Sequence, residues 1–491
     1  MRTVGSRVPP TGVPLRTDKR TRPYEILRVV ETASVTTQAA KPGPAMGAVS
    51  DVDSAPRETA RWGEASRILI TNTVALNTGD AAILLGTMRT LRAAFGDAVD
   101  IEIADAQPKA ASRYYPELRF VPTVHDALEA WTGGSGLKFK LGAALLVAAA
   151  AAWRFWPLSG LKWFLPPQLQ DALARYAGAD VIVASGGTHL VPHARLASHL
   201  VHLLVCTALG KPFVLFTQSM GPFEGRLTKI ILRSALRRAT LILLRDDLSR
   251  RHLQALGVPP DNAAVAPDAA FALAPANISH PAPVRNADHL KVAISLRDWE
   301  HRESAATEGM DKYLDAVAGL VRTLVCARKA HVTFLSTCQG ANEYWSDDSA
   351  VADQVTRRLS PDILRHVEVD RMHRRPENMI RRLKDFDVVV ATRMHAAILA
   401  LCAGRPVLAI AYEFKSRELF RRLGLGDLVV DIEEATAERL TAALDRLLAA
   451  RSAIVEKVAK SAAAERQAAL AVGNLVRRAV RAAGVPLWRT R

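Results

Sequence analysis

The stretch RILITNTVALNTGDAAILLGTMRTLRAAFGDAVDIEI, residues 67–103, determines how this chain folds. Residues 67–72 form an apolar run typical of a buried strand. The polar turn at residues 77–80 leads into an apolar helix over residues 81–95, and a second strand is predicted at residues 99–103. Because a strand, a loop, a helix and a second strand follow in that order, the segment favours a doubly wound parallel sheet.

Units of the same kind recur along the chain, and each strand is followed by a polar cluster. The further predicted strands are residues 180–184, 212–216, 240–244, 292–296, 331–335, 387–391 and 406–411. Open α/β sheets bind ligands at the carboxyl ends of their strands, so these clusters are candidate binding loops. A break rich in Pro, Ala and Asn near residues 275–288 separates two series. The sequence predicts an α/β fold of two Rossmann-like domains facing across a cleft, the GT-B-like arrangement.

The predicted organisation has four parts. Residues 1–64 lack a sustained hydrophobic period and are predicted to be a disordered extension without a signal peptide. The two Rossmann-like domains are predicted at residues 65–280 and 288–435. A basic helical segment, residues 436–491, follows with helical spacing. Segments of this kind often cross back to the first domain in GT-B folds, and contact with an acidic membrane surface is the competing interpretation.

Composition narrows the functional class. The apolar fraction is 49% and the charged fraction 23%, as in soluble globular proteins. The formal charge is +16, and residues 436–491 supply +7 of it, with eleven Lys or Arg against four Asp or Glu. No nucleic-acid motif accompanies this charge, so no nucleic-acid partner is predicted. The four cysteines form no CxxC pair, and we predict no metal site.

An apolar insertion at residues 138–165 does not fit a simple sheet. Residues 141–153 are Ala-rich and flanked by Lys and aromatic residues. The run is shorter than the roughly 20 residues that span a bilayer. Two interpretations remain open: an interfacial helix or hairpin at a membrane surface, or a helix buried in the first domain.

Three loops carry candidate chemistry. Asn77, Gly79 and Asp80 open the first helix, where Asp80 is either a simple cap or part of an anion site formed with free N–H groups. In the loop at residues 185–189, His189 is either a general base or sugar contact, or a solvated loop histidine.

The third loop, Thr392–Arg393–Met394–His395, is more specific. An Arg directly after a buried strand needs a partner, and a guanidinium at a helix N-terminus suits a carboxylate or phosphate. The alternative is a structural pair between Arg393 and a carboxylate. Arg297 and Lys415 also follow strand ends and are expected to converge on the same cleft. The expected ligand is therefore small and polyanionic.

The order of motifs resembles the polysaccharide pyruvyl transferase family over about residues 67–435. The matching segments are NTGDAAILLG (77–86), SGGTHLV (185–191), TQSMGPF (217–223), LRDDLSRRHLQALG (244–257), PDAAF (267–271), ISLR (294–297), ATRMHAAILALCAGRPVLAIAYEFK (391–415) and LGL (423–425). The resemblance implies a GT-B-like fold. It also implies that the protein transfers a pyruvyl group from phosphoenolpyruvate to a sugar of a cell-surface glycan or its lipid-linked precursor, usually as a ketal. Phosphoenolpyruvate would be the donor substrate, and no cofactor is expected.

The resemblance also implies roles for individual residues. Arg393, Met394 and His395 would lie at the phosphoenolpyruvate site in the second domain, with Arg245 or Arg297 as a second anion contact. His395 would donate a proton, and His189 or Asp80 would assist the acceptor hydroxyl in the first domain. The remaining expected substrate contacts are Lys415, Asn77, Gly79 and Gln218. Gly221 stands where some members carry a histidine, so that histidine's role does not transfer.

The expected location is the cytoplasm, with peripheral contact at the inner membrane face. Two rival functions remain. A nucleotide-sugar glycosyltransferase would share the architecture, since a fold does not fix a function, and would use an acidic residue such as Glu413 on a ribose. A silent glycan-binding relative is the second rival, although the intact Arg393 and His395 argue against it.

Overall fold

The computed structural model describes residues 66–192, 195–278, 290–299 and 306–484. The predicted extension at residues 1–64 and most of the predicted linker at residues 275–288 lie outside these ranges. Both sheets described below belong to one compact unit.

The first sheet has 8 strands, and its paired strands run parallel, in the order β3-β2-β1-β4-β6-β7-β8 with β5 beside β6. Its strands are β1 (Arg67–Thr73), β2 (Asp100–Asp105), β3 (Phe120–Pro122), β4 (Val181–Ala184), β5 (Gly187–Leu190), β6 (Phe213–Met220), β7 (Leu241–Leu244) and β8 (Ala263–Val265). The order reverses between β1 and β4, and this switch point is where doubly wound sheets bind ligands.

The second sheet has 6 parallel strands in the order β11-β10-β9-β12-β13-β14. Its strands are β9 (Lys291–Ser295), β10 (His331–Phe334), β11 (Val367–Val369), β12 (Val388–Ala391), β13 (Val407–Ala411) and β14 (Val429–Asp431). The order reverses between β9 and β12. The predicted α/β, GT-B-like class is confirmed.

Helices cover both faces of each sheet. We call the part of the chain that contains the first sheet the first half and the part that contains the second sheet the second half. In the first half the helices are α1 (Thr78–Phe95), α2 (Pro108–Tyr114), α3 (Val124–Thr132), α4 (Gly136–Ala152), α5 (Pro167–Gly178), α6 (Leu196–Leu209), α7 (Arg226–Leu236) and α8 (Asp247–Ala255). In the second half they are α9 (Ala306–Arg328), α10 (Asp348–Thr356), α11 (Pro361–Leu364), α12 (Pro376–Leu383), α13 (Met394–Cys402), α14 (Phe414–Arg422), α15 (Ala437–Ala449) and α16 (Arg451–Ala482). Of the helices described, none combines the length and apolar content that crossing a membrane requires.

Two predicted loops are partly strand. β6 continues through residues 217–220 instead of ending at residue 216. The predicted loop at residues 185–189 contains the start of β5, which pairs with β6. All of β6 is buried, and a buried backbone must find hydrogen-bond partners, which the neighbouring strands provide.

The C-terminal helix α16 crosses back to the first half. Its Val472, Val476 and Val480 pack in the same apolar cluster as α1. A Cβ on Gly473 would stand 2.4 Å from the carbonyl oxygen of Thr90, so the two helices approach closely. The expected long helical segment that returns to the first domain is therefore present, and its apolar stripe is covered by protein.

Candidate active site

The turn between β1 and α1 is built from both halves of the molecule. Asn77 caps α1, and its side-chain oxygen accepts a hydrogen bond from the Gly79 N–H at 2.8 Å. The Thr78 N–H donates to the carbonyl oxygen of Thr337, in the second half, at 2.9 Å. A Cβ on Gly79 would stand 2.8 Å from the Cβ of His395. Glycine is therefore required for this approach of α1 to α13.

Asp80 occupies the first turn of α1. It is half-buried, and no hydrogen bond or ion pair to its carboxylate occurs within the part of the chain that the structure describes. Burial raises the pKa of Asp80 above its usual value, and the nearby His395, Arg245 and Arg393 oppose this increase. An unpaired carboxyl group with a raised pKa is suited to proton transfer.

His395 lies opposite a buried ion pair from the first half. Its Nε2 is 3.5 Å from Oδ2 of Asp268, and the same oxygen accepts a hydrogen bond from Nη1 of Arg245 at 2.6 Å. Nη2 of Arg245 donates to the carbonyl oxygen of Gly187 at 3.2 Å. Burial works against ionisation of Asp268, yet Arg245 and His395 hold its pKa well below the usual range. Asp268 is therefore an anion that links Arg245 to His395.

Arg393 is held by a carboxylate of its own half. Nε and Nη2 donate to the two oxygens of Asp348 at 2.9 and 2.6 Å, and Ser336 donates to the same carboxylate at 2.5 Å. The structural pair considered as the alternative is therefore present. No hydrogen bond to Nη1 of Arg393 occurs among the described residues, so this nitrogen is available to a ligand.

Arg297 and Lys415 add two further cations near the same strand ends. The Arg297 guanidinium lies 4.0 Å over the ring of Tyr412, and Nε donates to the carbonyl oxygen of Asp298. Within the described ranges, no carboxylate pairs with Arg297. Lys415 contacts Glu413 at 2.5 Å. Burial lowers the pKa of Lys415, and the charges of Arg245 and Arg297 lower it further although Glu413 acts against them.

Met394 lies at a small pocket between the halves. The residues that line this pocket are Ser219, Arg245, Asp246, Asp268, Met394, Ile398, Lys415, Leu419 and Arg422. The pocket thus combines cations from the end of β7 and from α14 with the carboxylates of Asp246 and Asp268 and the apolar side chain of Met394. An apolar surface beside cations suits a small anion that carries a hydrocarbon part.

Two further predicted site residues, Gln218 and His189, contact other residues of the first half. Gln218 is 1% exposed, and its Nε2 donates to the carbonyl oxygen of Ser185, so contact with a substrate would need movement of β6. The His189 ring lies 5.1 Å from the ring of His199. The assigned roles of Gln218 and His189 stay predictions.

His199 belongs to a buried histidine group in the first half. Its ring is 5.1 Å from that of His125, and the His125 ring is 6.0 Å from that of His202. Burial lowers the pKa of His125 to about 3 and lowers that of His202 well below its usual value. These two rings are therefore neutral at physiological pH. Among the residues described, no three His, Cys, Asp or Glu side chains are placed to hold a metal ion.

Sequence reasoning missed two carboxylates of the site. Asp268 stands in the PDAAF motif, which was recognised without a role for its acid. Asp348 follows an irregular loop after β10 and matches no motif. Because Arg393 needs a partner, the sequence predicts that a buried acid pairs with it. Several acids in the second half follow strand ends, so the sequence does not indicate which acid this is.

Comparison with known proteins identifies the family. The family model for polysaccharide pyruvyl transferases matches residues 77–413. The chain belongs to this family. The match includes both the turn with Asp80 and the loop with Arg393 and His395, so the predicted resemblance is confirmed.

A curated relative supports the same family. The amylovoran biosynthesis protein AmsJ of Erwinia amylovora is 24% identical over 413 residues, which cover 81% of this chain and 96% of AmsJ.

Solved structures of sugar-nucleotide proteins share the fold. A UDP-GlcNAc 2-epimerase of Neisseria meningitidis, bound to UDP-GlcNAc, has a TM-score of 0.51 at 9% identity and covers 84% of this chain and 99% of that one. HepE of Anabaena, in complex with UDP and glucose, has a TM-score of 0.50 at 12% identity, with coverage of 85% and 99%. At these identities the likeness concerns the fold alone.

Proposed function

We propose that this family member transfers a pyruvyl group from phosphoenolpyruvate to a sugar of a cell-surface polysaccharide, or of its lipid-linked precursor, and forms a ketal. Family membership supports the broader role as a transferase in polysaccharide biosynthesis, and AmsJ carries the name of such a pathway. The observation that carries the donor assignment is Arg297, a guanidinium at the switch point of the second sheet without a carboxylate partner among the described residues.

Phosphoenolpyruvate needs at least two cationic anchors because it bears a carboxylate and a phosphate. Arg245 and Arg297 are close enough to Lys415 to lower its pKa, and Arg297 and Arg393 both act on Asp348. Burial raises the pKa values of Asp80 and Asp348, which disfavours the charged forms of these two carboxyl groups. Cations of this kind also stabilise the phosphate as it leaves.

The proposed reaction balances without an oxidant or reductant. One sugar hydroxyl adds to C2 of phosphoenolpyruvate, and the methylene carbon gains a proton to become a methyl group. The C2–O bond to phosphate then breaks, and a second sugar hydroxyl bonds to the same carbon. The sugar loses two hydroxyl protons in all. The gain of one proton by the methyl group accounts for the first, and the released phosphate carries the second.

In this proposal His395 and Asp80 carry out the two proton transfers. His395 would deliver the proton to the methylene carbon or to the leaving phosphate, with Asp268 orienting its ring. Asp80, on the facing helix, would take the proton from the acceptor hydroxyl. His189 remains an alternative base on the acceptor side. General acid–base assistance of this kind contributes roughly 10²- to 10⁴-fold to a rate.

A nucleotide-sugar glycosyltransferase is the rival that shares this fold. That function needs an acidic residue for the ribose, and Glu413 is the candidate. Its carboxylate contacts Lys415 at 2.5 Å, which competes with a ribose contact and favours the pyruvyl transferase.

The first test compares ligands by thermal stabilisation. At a concentration of about 100 times Kd, a ligand stabilises the folded state by about 2.7 kcal/mol. We expect phosphoenolpyruvate to raise the Tm of the wild type, whereas UDP-glucose and GDP-mannose should leave it unchanged. In Arg297→Gln, phosphoenolpyruvate should no longer raise the Tm. Arg297 is a sharper target than Arg393, because removing Arg393 would leave the buried Asp348 unpaired at a cost of about 3–5 kcal/mol.

Arg357→Gln is the matched control, since this exposed arginine also has no carboxylate partner among the described residues. It should keep the full shift with phosphoenolpyruvate. Stabilisation by a nucleotide sugar alone would instead assign the chain to the glycosyltransferases. Two measurements would then establish the product. Phosphate release should depend on a glycan acceptor, and the mass of the acceptor should increase by that of pyruvate less water.

A further inference from the structure

The outer face of α4 carries an apolar stripe, with Lys138 and Lys140 exposed beside it near the start of the helix. Its exposed positions include Leu137, Leu141, Ala144, Ala148 and Ala151, which recur at helical spacing on one side. Leu137 is 73% exposed and Leu141 61%. The opposite side of α4 packs into the first half through residues such as Leu146 and Ala149. Water therefore meets an apolar stripe where a surface helix normally presents polar side chains.

Aromatic side chains continue this surface beyond the C-terminal end of α4. Phe155 is 59% exposed, and Trp163 and Phe164 are each 72% exposed. The Lys162 ammonium lies 4.7 Å from the Trp153 ring and 5.3 Å from the Trp163 ring. Tryptophan beside lysine is characteristic of the boundary between lipid and water. We call the α4 stripe together with Phe155, Trp163 and Phe164 the apolar face.

A second exposed helix has the same character. α7 and α4 both pack against α6, and α7 exposes Leu227 and Ile230. Arg154, after α4, and Arg238, after α7, line one cleft. The two helices therefore belong to the same side of the first half.

Cations predominate on this side, although Asp180 also lines the cleft. Between Glu129 and Asp171 the sequence has four Lys or Arg and no acid, and between Glu224 and Thr240 it has five Lys or Arg and no acid. No ion pair to these cations occurs among the described residues, whereas elsewhere Arg113 pairs with Glu343 at 2.5 Å. Unpaired cations around an apolar surface complement an anionic partner.

We propose that the apolar face and the surrounding cations dock the protein onto an anionic lipid surface. The apolar side chains enter the headgroup region while the cations contact lipid phosphates, as in interfacial helices. A second copy fits this surface poorly, because a two-fold contact would bring the same unpaired cations together. This inference does not depend on the donor or acceptor of the reaction.

The test measures sedimentation of the full-length protein with vesicles. We expect binding to vesicles of 70% phosphatidylcholine and 30% phosphatidylglycerol, and weak binding to pure phosphatidylcholine. Trp163→Ser with Phe164→Ser should lower the binding on the order of tenfold or more. Lys138→Gln with Lys140→Gln should lower it roughly fivefold for each cation, and less at high salt.

A matched control replaces two exposed apolar residues of the second half, Trp345→Ser with Met372→Ser. This variant should bind vesicles like the wild type. Circular dichroism and Tm of each variant separate loss of docking from loss of folding. Equal binding by wild type and both patch variants would overturn the proposal. A dimer in solution that only the Trp163→Ser/Phe164→Ser variant dissociates would also overturn it, because the face would then be a subunit interface.

Discussion

Asp80 and Asp268 show how neighbouring carboxylates in one site acquire opposite properties. Burial acts on both. Asp80 has no hydrogen-bond partner among the described residues, and its pKa is raised. Asp268 accepts hydrogen bonds from Arg245 and from the backbone of Ala270, and its pKa is lowered. Their difference gives the site one carboxyl group that can exchange a proton and one that stays ionised.

Replacement of Asp80 by Asn should stabilise the protein and remove activity. A carboxyl group with a raised pKa in the folded state opposes folding above that pKa, and this cost disappears below the unfolded pKa of about 3.9. Asp80→Asn should therefore raise the Tm at pH 7, with a gain that vanishes as the pH falls towards about 4. Turnover should fall roughly 10²- to 10⁴-fold.

Thermal melts across this pH range and initial rates of phosphate release check the prediction. Asp97→Asn is the control, because Asp97 is exposed near the other end of the same helix. A variant at Asp80 with wild-type turnover would show that another group accepts the proton.

Replacement of Asp268 by Asn should have the opposite effect on stability. Its lowered pKa contributes stability above about pH 3.9, and that stability is lost as the pH falls towards the folded pKa. At pH 7, Asp268→Asn should lower the free energy of unfolding by about 3–5 kcal/mol, because Arg245 loses its buried partner.

Denaturant unfolding at pH 7 and pH 3.5 measures this difference, which should shrink at the lower pH. Asp445→Asn removes a solvent-exposed partner of Arg328 and should cost only about 0–1 kcal/mol. If Asp268 also orients His395, the pH–rate profile of the folded variant should shift. A profile identical to that of the wild type would limit Asp268 to a structural role.

Single residues could be predicted from the sequence where the local pattern was unusual. Arg393 and His395 stand out because charged residues interrupt an apolar strand and helix. The partner of Arg393 could not be predicted, because Asp348 lies 45 positions away and is brought close only by the packing of α10. Whether Asp80 caps a helix or faces a ligand likewise depends on side chains from the other half.

Among the helices, α1 makes the closest contact with the turn that carries Asp268. A Cβ on Gly86 would stand 2.0 Å from the carbonyl oxygen of Ala269, and backbone cannot rotate away as a side chain can. Gly86→Ala should therefore displace α1, lower the Tm and reduce activity, although alanine normally favours a helix by roughly 1 kcal/mol.

Gly178→Ala is the matched control, since a Cβ at this helical position meets nothing within 4 Å. It should leave the Tm unchanged or raise it. Differential scanning calorimetry of the two variants makes the comparison. A stable, active Gly86→Ala protein would mean that α1 can move away from this turn without cost.

Apart from β5, which was predicted as a loop, strand prediction succeeded inside the sheets and failed at their edges. The strands β3, β8, β11 and β14 were not predicted, and each has only three residues and lies at an edge of its sheet. An edge strand has a neighbour on one side only and is often short. Three residues are too few for the alternation or apolar run that identifies a strand in a sequence.

At the scale of the whole molecule, the repeated strand and helix units predicted two parallel sheets. Their mutual placement was not predictable in detail, because it depends on contacts between loops. Thr78 donates through its hydroxyl to the carbonyl oxygen of Arg374 at 2.7 Å, and Gln107 donates to that of Glu343 at 2.8 Å. None of these residues carries a sequence signal that pairs it with its partner.

The return of α16 to α1 has a consequence for biosynthesis. A ribosome releases α1 long before it has made α16, so the growing first half carries an uncovered apolar surface around Leu91 and Ala94. Chaperones can occupy that surface until the last helix emerges. A premature stop within residues 436–468 would leave every strand and every candidate site residue in the translated chain. Proteolysis, rather than a catalytic defect, would then determine the fate of such a product.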